Sequence, residues 1–526
     1  MPPLPFRPDG GRVICCEILP LLTLHSRSVA FALIRGVVTD MRCLIAAALA
    51  ASLLPASMTF GAEPLPSQAV PPAKSDEGLT AEQRQWVAKA WRHEKDGWVF
   101  LHIEGSPQAR GFQHGYLLAR EIESTLAATR KVWNYESGME WSWLVEQAGR
   151  IWRGKIDDEN LAEIDGIVSG LAAARVAASR NELIAHNGIV ELAAYWWPTA
   201  KEKLKSQAPT RPREACSAFI ATGSATRGGG IVMGHNTMGG YADNDCNFVL
   251  DIAPEKGHRI LMQSYPGWIH SGTDFFITDA GLIGCETTIS GFKGFDESGR
   301  PEFSRMRSAT QTAASIEQWC SVMKQGNNGG YANAWLLGDV RSGEIARLEL
   351  GLRQVAFEKK RDGYFIGANV AEDLKLLRLE TSVDETDIRL SAAARRVRWK
   401  QLMGQHAGRI DIELARVLLA DHYDVFREQD APGERSLCKH GELEKDPPGG
   451  HTPYEPNGTL DAKVVDSAMA KEMSFAARWG SACGTAFDAD QFLKAHPQFD
   501  WMQGILKSRP ARPWTIFRSG ETAAGK

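Results

Sequence analysis

The chain has 526 residues, 43% hydrophobic and 24% charged, a globular balance with length enough for a large core or two, which excludes disordered and fibrous classes. Its 64 acidic and 60 basic residues give a formal charge of −4 without long blocks of one sign. With no basic footprint, nucleic acid is not an expected partner.

Met41-Arg42 opens a short charged start, and Cys43 to Leu54 is an apolar, alanine-rich run leading through Pro55 to small residues near Gly61-Ala62. That layout predicts a secretory signal over about 41–62 and an exported protein, periplasmic or secreted. The run is too short for a permanent membrane span, which takes about 20 apolar residues. Residues 1–40 carry no usable periodic pattern and read as an upstream start assigned in error, so 1–62 is set aside from the fold. Residues 63–77, rich in proline and small side chains, read as a linker.

The segment 78–215 reads as mainly helical. A strand is expected over Trp98 to Glu104. A helix follows over Gly111 to Ala127, with Leu117, Leu118, Ile122 and Leu126 as its stripe. Leu161, Ile164, Ile167 and Leu171 mark a second helix that Asp157 or Asp158 would cap. The tryptophans at 133, 141, 143, 152, 196 and 197 read first as core, and otherwise as a wall for an apolar substrate. Lys205 to Glu214 reads as an exposed loop.

At Cys216 the pattern turns to strands. Ser217 to Thr222 and Ile231 to His235 flank Arg227-Gly228-Gly229-Gly230 as a hairpin. Strands continue over Phe248 to Ala253, Arg259 to Ser264, Phe275 to Thr278 and Leu282 to Thr288. A helix is predicted over Arg307 to Lys324, then strands over Trp335 to Asp339, Ile345 to Leu350, Gln354 to Lys359 and Tyr364 to Ala368, then helices near 388–404 and 411–421. Segregated strand and helix runs predict an α+β fold of antiparallel sheets covered by helices. There is no phosphate loop of the GxGxxG or GxxxxGK[ST] kind.

After residue 62 the cysteines are Cys216, Cys246, Cys285, Cys320, Cys438 and Cys483. None forms a CxxC pair and no HExxH occurs, so neither a metal nor another cofactor is expected. With Cys216 free, at most two disulfides could form. Cys216 itself, at the start of a strand just after a charged loop, reads either as a buried core thiol or as a presented nucleophile.

Several segments tip that choice. Cys216-Ser217-Ala218-Phe219 followed by Gly234-His235-Asn236-Thr237-Met238 resembles the phospholipase B-like family, in which a Cys-Ser strand precedes a His-Asn/Asp-Thr-Trp motif. Ser264-Tyr265-Pro266-Gly267, Asp274-Phe275-Phe276-Ile277, Glu286-Thr287-Thr288-Ile289 and the run from Asn327 to Trp335 resemble further family segments in the same order. Gly111-Phe112-Gln113-His114-Gly115 is similar to a helix start in autoproteolytic acyltransferases related to penicillin acyltransferase. Met238 stands in place of the family's tryptophan, and Ala332 and Ala334 replace an asparagine and a glutamine.

The resemblance implies an N-terminal-nucleophile (Ntn) hydrolase fold, a four-layer αββα sandwich. It also implies self-cleavage between Ala215 and Cys216, which leaves residues 78–215 as a fragment still associated with a catalytic chain of 216–526. The freed α-amine, of reference pKa about 7.7–8.0, would serve as base for the thiol of its own residue. Asn333 is the expected oxyanion donor, and His235 and Asn236 are expected to orient the amine or supply a second donor. The expected reaction is hydrolysis of an amide or ester of an acylated or lipid small molecule. The alternatives are an acyltransferase using the same acyl-enzyme, or a self-processed binding protein without activity.

Overall fold

Alternating apolar residues make the strands, and where both faces of a strand are apolar it lies in the interior. In the computed structural model, residues 78–204, 216–242, 248–272 and 274–522 are described, and the expected signal, the linker, the loop Lys205 to Glu214, Ala215 and Cys246 lie outside them. The strands are β1 (Trp91–Lys95), β2 (Trp98–Gly105), β3 (Ser217–Gly223), β4 (Gly229–Gly240), β5 (Phe248–Pro254) and β6 (Ile260–Ser264). They continue with β7 (Phe275–Thr278), β8 (Leu282–Thr288), β9 (Asn333–Asp339), β10 (Glu344–Leu350), β11 (Val355–Lys360) and β12 (Gly363–Gly367). The last are β13 (Tyr423–Asp424), β14 (Gln429–Asp430), β15 (Asn457–Asp466), β16 (Ser474–Trp479) and β17 (Thr515–Arg518).

One sheet runs β1-β2-β5-β6-β7-β8-β9-β10-β11 and a second runs β12-β3-β4-β15-β16-β17, with β13 and β14 as a separate ribbon. The two sheets pack face to face through Leu261, Ile277 and Leu336 on one side and Ile220, Met233 and Phe475 on the other. Side chains of opposite parity face helices. Met262, Phe276 and Trp335 of the larger sheet meet the helices of 119–203 and 302–324. Phe219, Val232 and Val464 of the smaller sheet meet the helices Ser391–Gln405 and Ile412–Leu419 through Trp399, Leu402 and Leu418. The layers therefore run helix, sheet, sheet, helix, the αββα order expected.

Three local differences have physical causes. The helix expected over Gly111 to Ala127 is two, Pro107–Leu117 and Ala119–Ser137, and that over Arg307 to Lys324 is Glu302–Thr312 and Ile316–Lys324. The second break lies at Ser315, whose side chain caps the new helix by accepting from the backbone of Gln318. The segment before Cys216 adds β1 to the strand expected at 98–104, here β2, and β2 pairs in parallel with β5 across the expected cleavage point.

Helices Pro107–Leu117 and Asp158–Ala173 cross with backbones in contact. A Cβ on Gly111 would lie 1.9 Å from the carbonyl oxygen of Glu163, and one on Gly170 would lie 2.3 Å from that of Phe112. Of the six tryptophans singled out, Trp133, Trp141, Trp152, Trp196 and Trp197 are buried and Trp143 packs against them, so they fill the helical layer. Among the described residues no helix is long and apolar enough to cross a membrane.

Candidate active site

Strand register brings the site together. Ser217 pairs with Asn236, so Cys216, one residue before β3, comes level with the end of β4, and its sulfur accepts the backbone N–H of Met238. Phe275 pairs with Cys285, which sets Asp274 beside Glu286 on the neighbouring strand. The Cys216 sulfur, one carboxylate oxygen of Asp274 and one of Glu286 lie within 4.8 Å of one another. Tyr331, two residues before β9, sends its hydroxyl to 2.7 Å from both Asp274 Oδ2 and Glu286 Oε1.

All four side chains are buried or nearly so, and burial governs their acidity. It raises Asp274 to about 6. Burial, and then the charge of Asp274, holds Glu286 well above the usual carboxylate range. One hydroxyl has one proton to offer two carboxyls, so the pair must retain another at neutral pH, and it rests on Glu286. Burial, followed by the charges of Glu286 and Asp274, pushes the Cys216 thiol well up. The thiol is thus protonated at rest and needs a base. These three side chains are close enough to ligate an ion; the Tyr331 hydroxyl reaches one oxygen of each carboxyl, and Glu286 Oε2 has no hydrogen-bond partner.

The backbone around the sulfur is strained. Cys216, Asp274, Tyr331 and Asn369 have φ of 79°, 55°, 54° and 65°, the left-handed region that side chains beyond glycine rarely adopt. Arg395 spans two of them, donating from Nη1 to the Cys216 carbonyl at 2.9 Å and from Nη2 to Asn369 Oδ1 at 2.7 Å. Trp399 anchors the next residue by donating to Ser217 Oγ at 2.8 Å. Between the sheets, the buried Lys463 ammonium is held by Asp461 (2.5 Å), Thr237 (2.5 Å) and Gln263 (2.7 Å), and its charge favours ionised Cys216 and Asp274.

The residues singled out from sequence fall in different places. Asn333 opens β9 two residues after Tyr331, and both atoms of its buried amide lack a hydrogen-bond partner. His235 lies 2.9 Å from the Glu286 carbonyl through Nε2, and burial keeps its ring neutral, so it fastens one sheet to the other at Glu286 and does not reach the thiol by any hydrogen bond. Asn236 requires correction. Neighbours on a strand face opposite ways, and its amide turns outward to donate to the carbonyls of Leu419 and Leu437 at 2.8 Å each. Asp274, Glu286 and Tyr331 lay within the resembling segments without being assigned a role, whereas Arg395 and Lys463 carry no local sequence signal.

Residues 160–348 match the family model described as phospholipase B. The chain is 28% identical over 151 residues to putative phospholipase B-like 2 of Mus musculus, a match over 26% of this chain and 25% of that one. It is 23% identical over 288 residues to phospholipase B of Crotalus adamanteus, covering 49% of this chain and 47% of the relative. The chain thus spans half or less of the length of these relatives. A solved mutant of conjugated bile acid hydrolase from Clostridium perfringens aligns over 58% of this chain and 97% of its own, at 9% identity and a TM-score of 0.33. The family match takes in Cys216, Asp274, Glu286, Tyr331 and Asn333 together, so it is in the segment carrying this site that the chain is similar to the phospholipase B family.

Proposed function

We propose that the protein is an exported, self-cleaving cysteine Ntn hydrolase that splits amide or ester bonds of acylated or lipid small molecules through a thioester on Cys216. The carrying observation is the setting of that thiol: at a strand start, on a strained backbone, with its sulfur held by the Met238 N–H within 4.8 Å of a proton-sharing carboxyl pair.

In the uncut chain no α-amine exists, so the first attack needs another base. Asp274, ionised above about pH 6, takes the thiol proton. The sulfur attacks the carbonyl carbon of Ala215, the C–N bond breaks, and the nitrogen leaves protonated as the new amine. Water then hydrolyses the thioester, freeing the Ala215 carboxylate and the thiol. In later turnovers the amine of Cys216 serves as base, and the unpaired amide of Asn333 supports donation to the oxyanion.

N-terminal sequencing of the purified protein tests the reading. Two fragments are expected, the larger beginning with Cys216, and Cys216→Ala should remain one chain without releasing fatty acid from N-acyl amino acids or lysophospholipids. An uncut wild-type chain with full activity would overturn it.

A further inference from the structure

Beside the smaller sheet, away from the thiol network, four side chains from separate turns converge. His422 precedes β13, Cys438 and His440 follow β14, and Cys483 follows β16. One ligating atom from each lies within 4.8 Å of the other three. His440 Nε2 is 3.5 Å from Cys438 Sγ and 3.4 Å from Cys483 Sγ. With Zn–S about 2.3 Å and Zn–N about 2.0–2.1 Å, the nitrogen-to-sulfur edge of a tetrahedral site is about 3.5 Å. The two sulfurs are separate thiols, not a disulfide.

The surroundings suit ligands more than they suit a plain core. His440 Nδ1 lies 2.8 Å from Glu442 Oε1, so a ring protonated there turns a bare Nε2 toward the sulfurs, the arrangement by which a carboxylate orients a ligating histidine. Glu442 is itself fixed by the Tyr241 hydroxyl, which donates to its other oxygen at 2.8 Å. Backbone N–H groups of Ala482 and Cys483 point at the Cys438 sulfur, and that of Thr485 reaches the Cys483 sulfur at 3.4 Å, donors that favour thiolates. Asn236, absent from the thiol site, grips the carbonyl of Leu437 immediately before Cys438.

We infer that His422, Cys438, His440 and Cys483 bind one zinc ion in a closed tetrahedral site. Two thiolates and two imidazoles select zinc among common divalent ions, and four protein ligands leave no open coordination position, so the ion's role is to hold structure. Loading releases the two thiol protons to solvent and changes no oxidation state. The ion would clip the turns around 422 and 438–440 to the turn after β16. Linear spacing hides such a site, since His440 and Cys483 are 43 residues apart.

The test is elemental analysis of the full-length protein, produced with zinc and purified without chelator, beside a Cys438→Ser/Cys483→Ser double variant. About one zinc per chain is expected in the wild type and at least about tenfold less in the variant. Should the variant fail to fold, cobalt exchange into the unaltered protein decides, through the ligand-field bands of tetrahedral cobalt and a sulfur-to-cobalt charge-transfer band. Equal zinc in both proteins, a cobalt spectrum without the sulfur band, or a Cys438–Cys483 disulfide in non-reducing peptide maps would each overturn the assignment.

Discussion

Arg395 holds Cys216 by its backbone, donating to the carbonyl oxygen at 2.9 Å from a fully buried guanidinium. The same fork binds Asn369, and Nε lies 3.2 Å from Ser391 Oγ, so three elements meet on one planar group. Arg395→Lys keeps the charge and loses the fork. The expected result is self-cleavage slowed by roughly tenfold or more, with a stability loss on the order of 3 kcal/mol, checked by a gel time course and by denaturant unfolding.

If Asp274 is the base for self-cleavage, as proposed, it sets the pH dependence of that step. Its carboxyl, raised to about 6, is a proton acceptor only above that value. The rate of precursor cleavage should therefore climb as pH rises through about 6 and then level. Asp274→Asn should cleave slowly with no inflection there. A steep inflection near 6 in the variant would assign the base elsewhere.

Asn333→Ala separates catalysis from folding. The side-chain amide has no hydrogen-bond partner, so its removal should leave stability within about 1 kcal/mol. Turnover should nevertheless fall by roughly 10²–10³-fold, mainly in kcat, as for loss of one oxyanion donor. Steady-state kinetics beside a melting curve reads both.

Glu191 makes the fold itself sensitive to pH. Burial raises its carboxyl to about 7, although it accepts from the Asn328 side chain and the Glu302 backbone. The folded state then binds a proton that the unfolded state has lost between about pH 4.5 and 7. Stability from this group is accordingly full at the acid end and falls as pH rises through that window, by on the order of 3 kcal/mol. Denaturation of Glu191→Gln across the window should show a shallower slope than the wild type.

Gly111→Ala should disrupt the helix crossing. The added methyl would sit 1.9 Å from the Glu163 carbonyl oxygen, backbone against backbone, with no flexible side chain to yield. A loss of about 3 kcal/mol or more is expected from overpacking, measured as a lowered denaturation midpoint.

Much of the fold is legible because its periodicity is clean. β7 and β8 begin and end where alternation places them, at Phe275–Thr278 and Leu282–Thr288. The region of β15 to β17 gave no such reading. In β15 the side chains of Asp461 and Lys463 lie in the interior, so a core-facing row looks polar. The helix break at Ser315 is encoded by a Ser-x-x-Gln cap that lies within a longer apolar stripe, and the stripe alone predicts one helix.

The site was legible as segments, not as a network. Motif order pointed to Cys216 and Asn333. Strand parity alone rules out His235 and Asn236 serving one face together, since adjacent residues point apart. Glu286 is the one charged residue of β8, after the apolar run Leu282 to Cys285, a signal of buried chemistry available from sequence. Arg395 is not, because a helical arginine declares nothing about what it will reach.

β2 lies beside β5 in parallel, and the chain between them passes through the bond before Cys216. If that bond is cut as proposed, unfolding yields two independent polymers, and their reunion is a second-order encounter that must rebuild a long-range pairing with no tether. Refolding should then depend on protein concentration and lose to aggregation in dilute solution. The mature particle would persist by slow opening, as a kinetically trapped product of a molecule that folded only once.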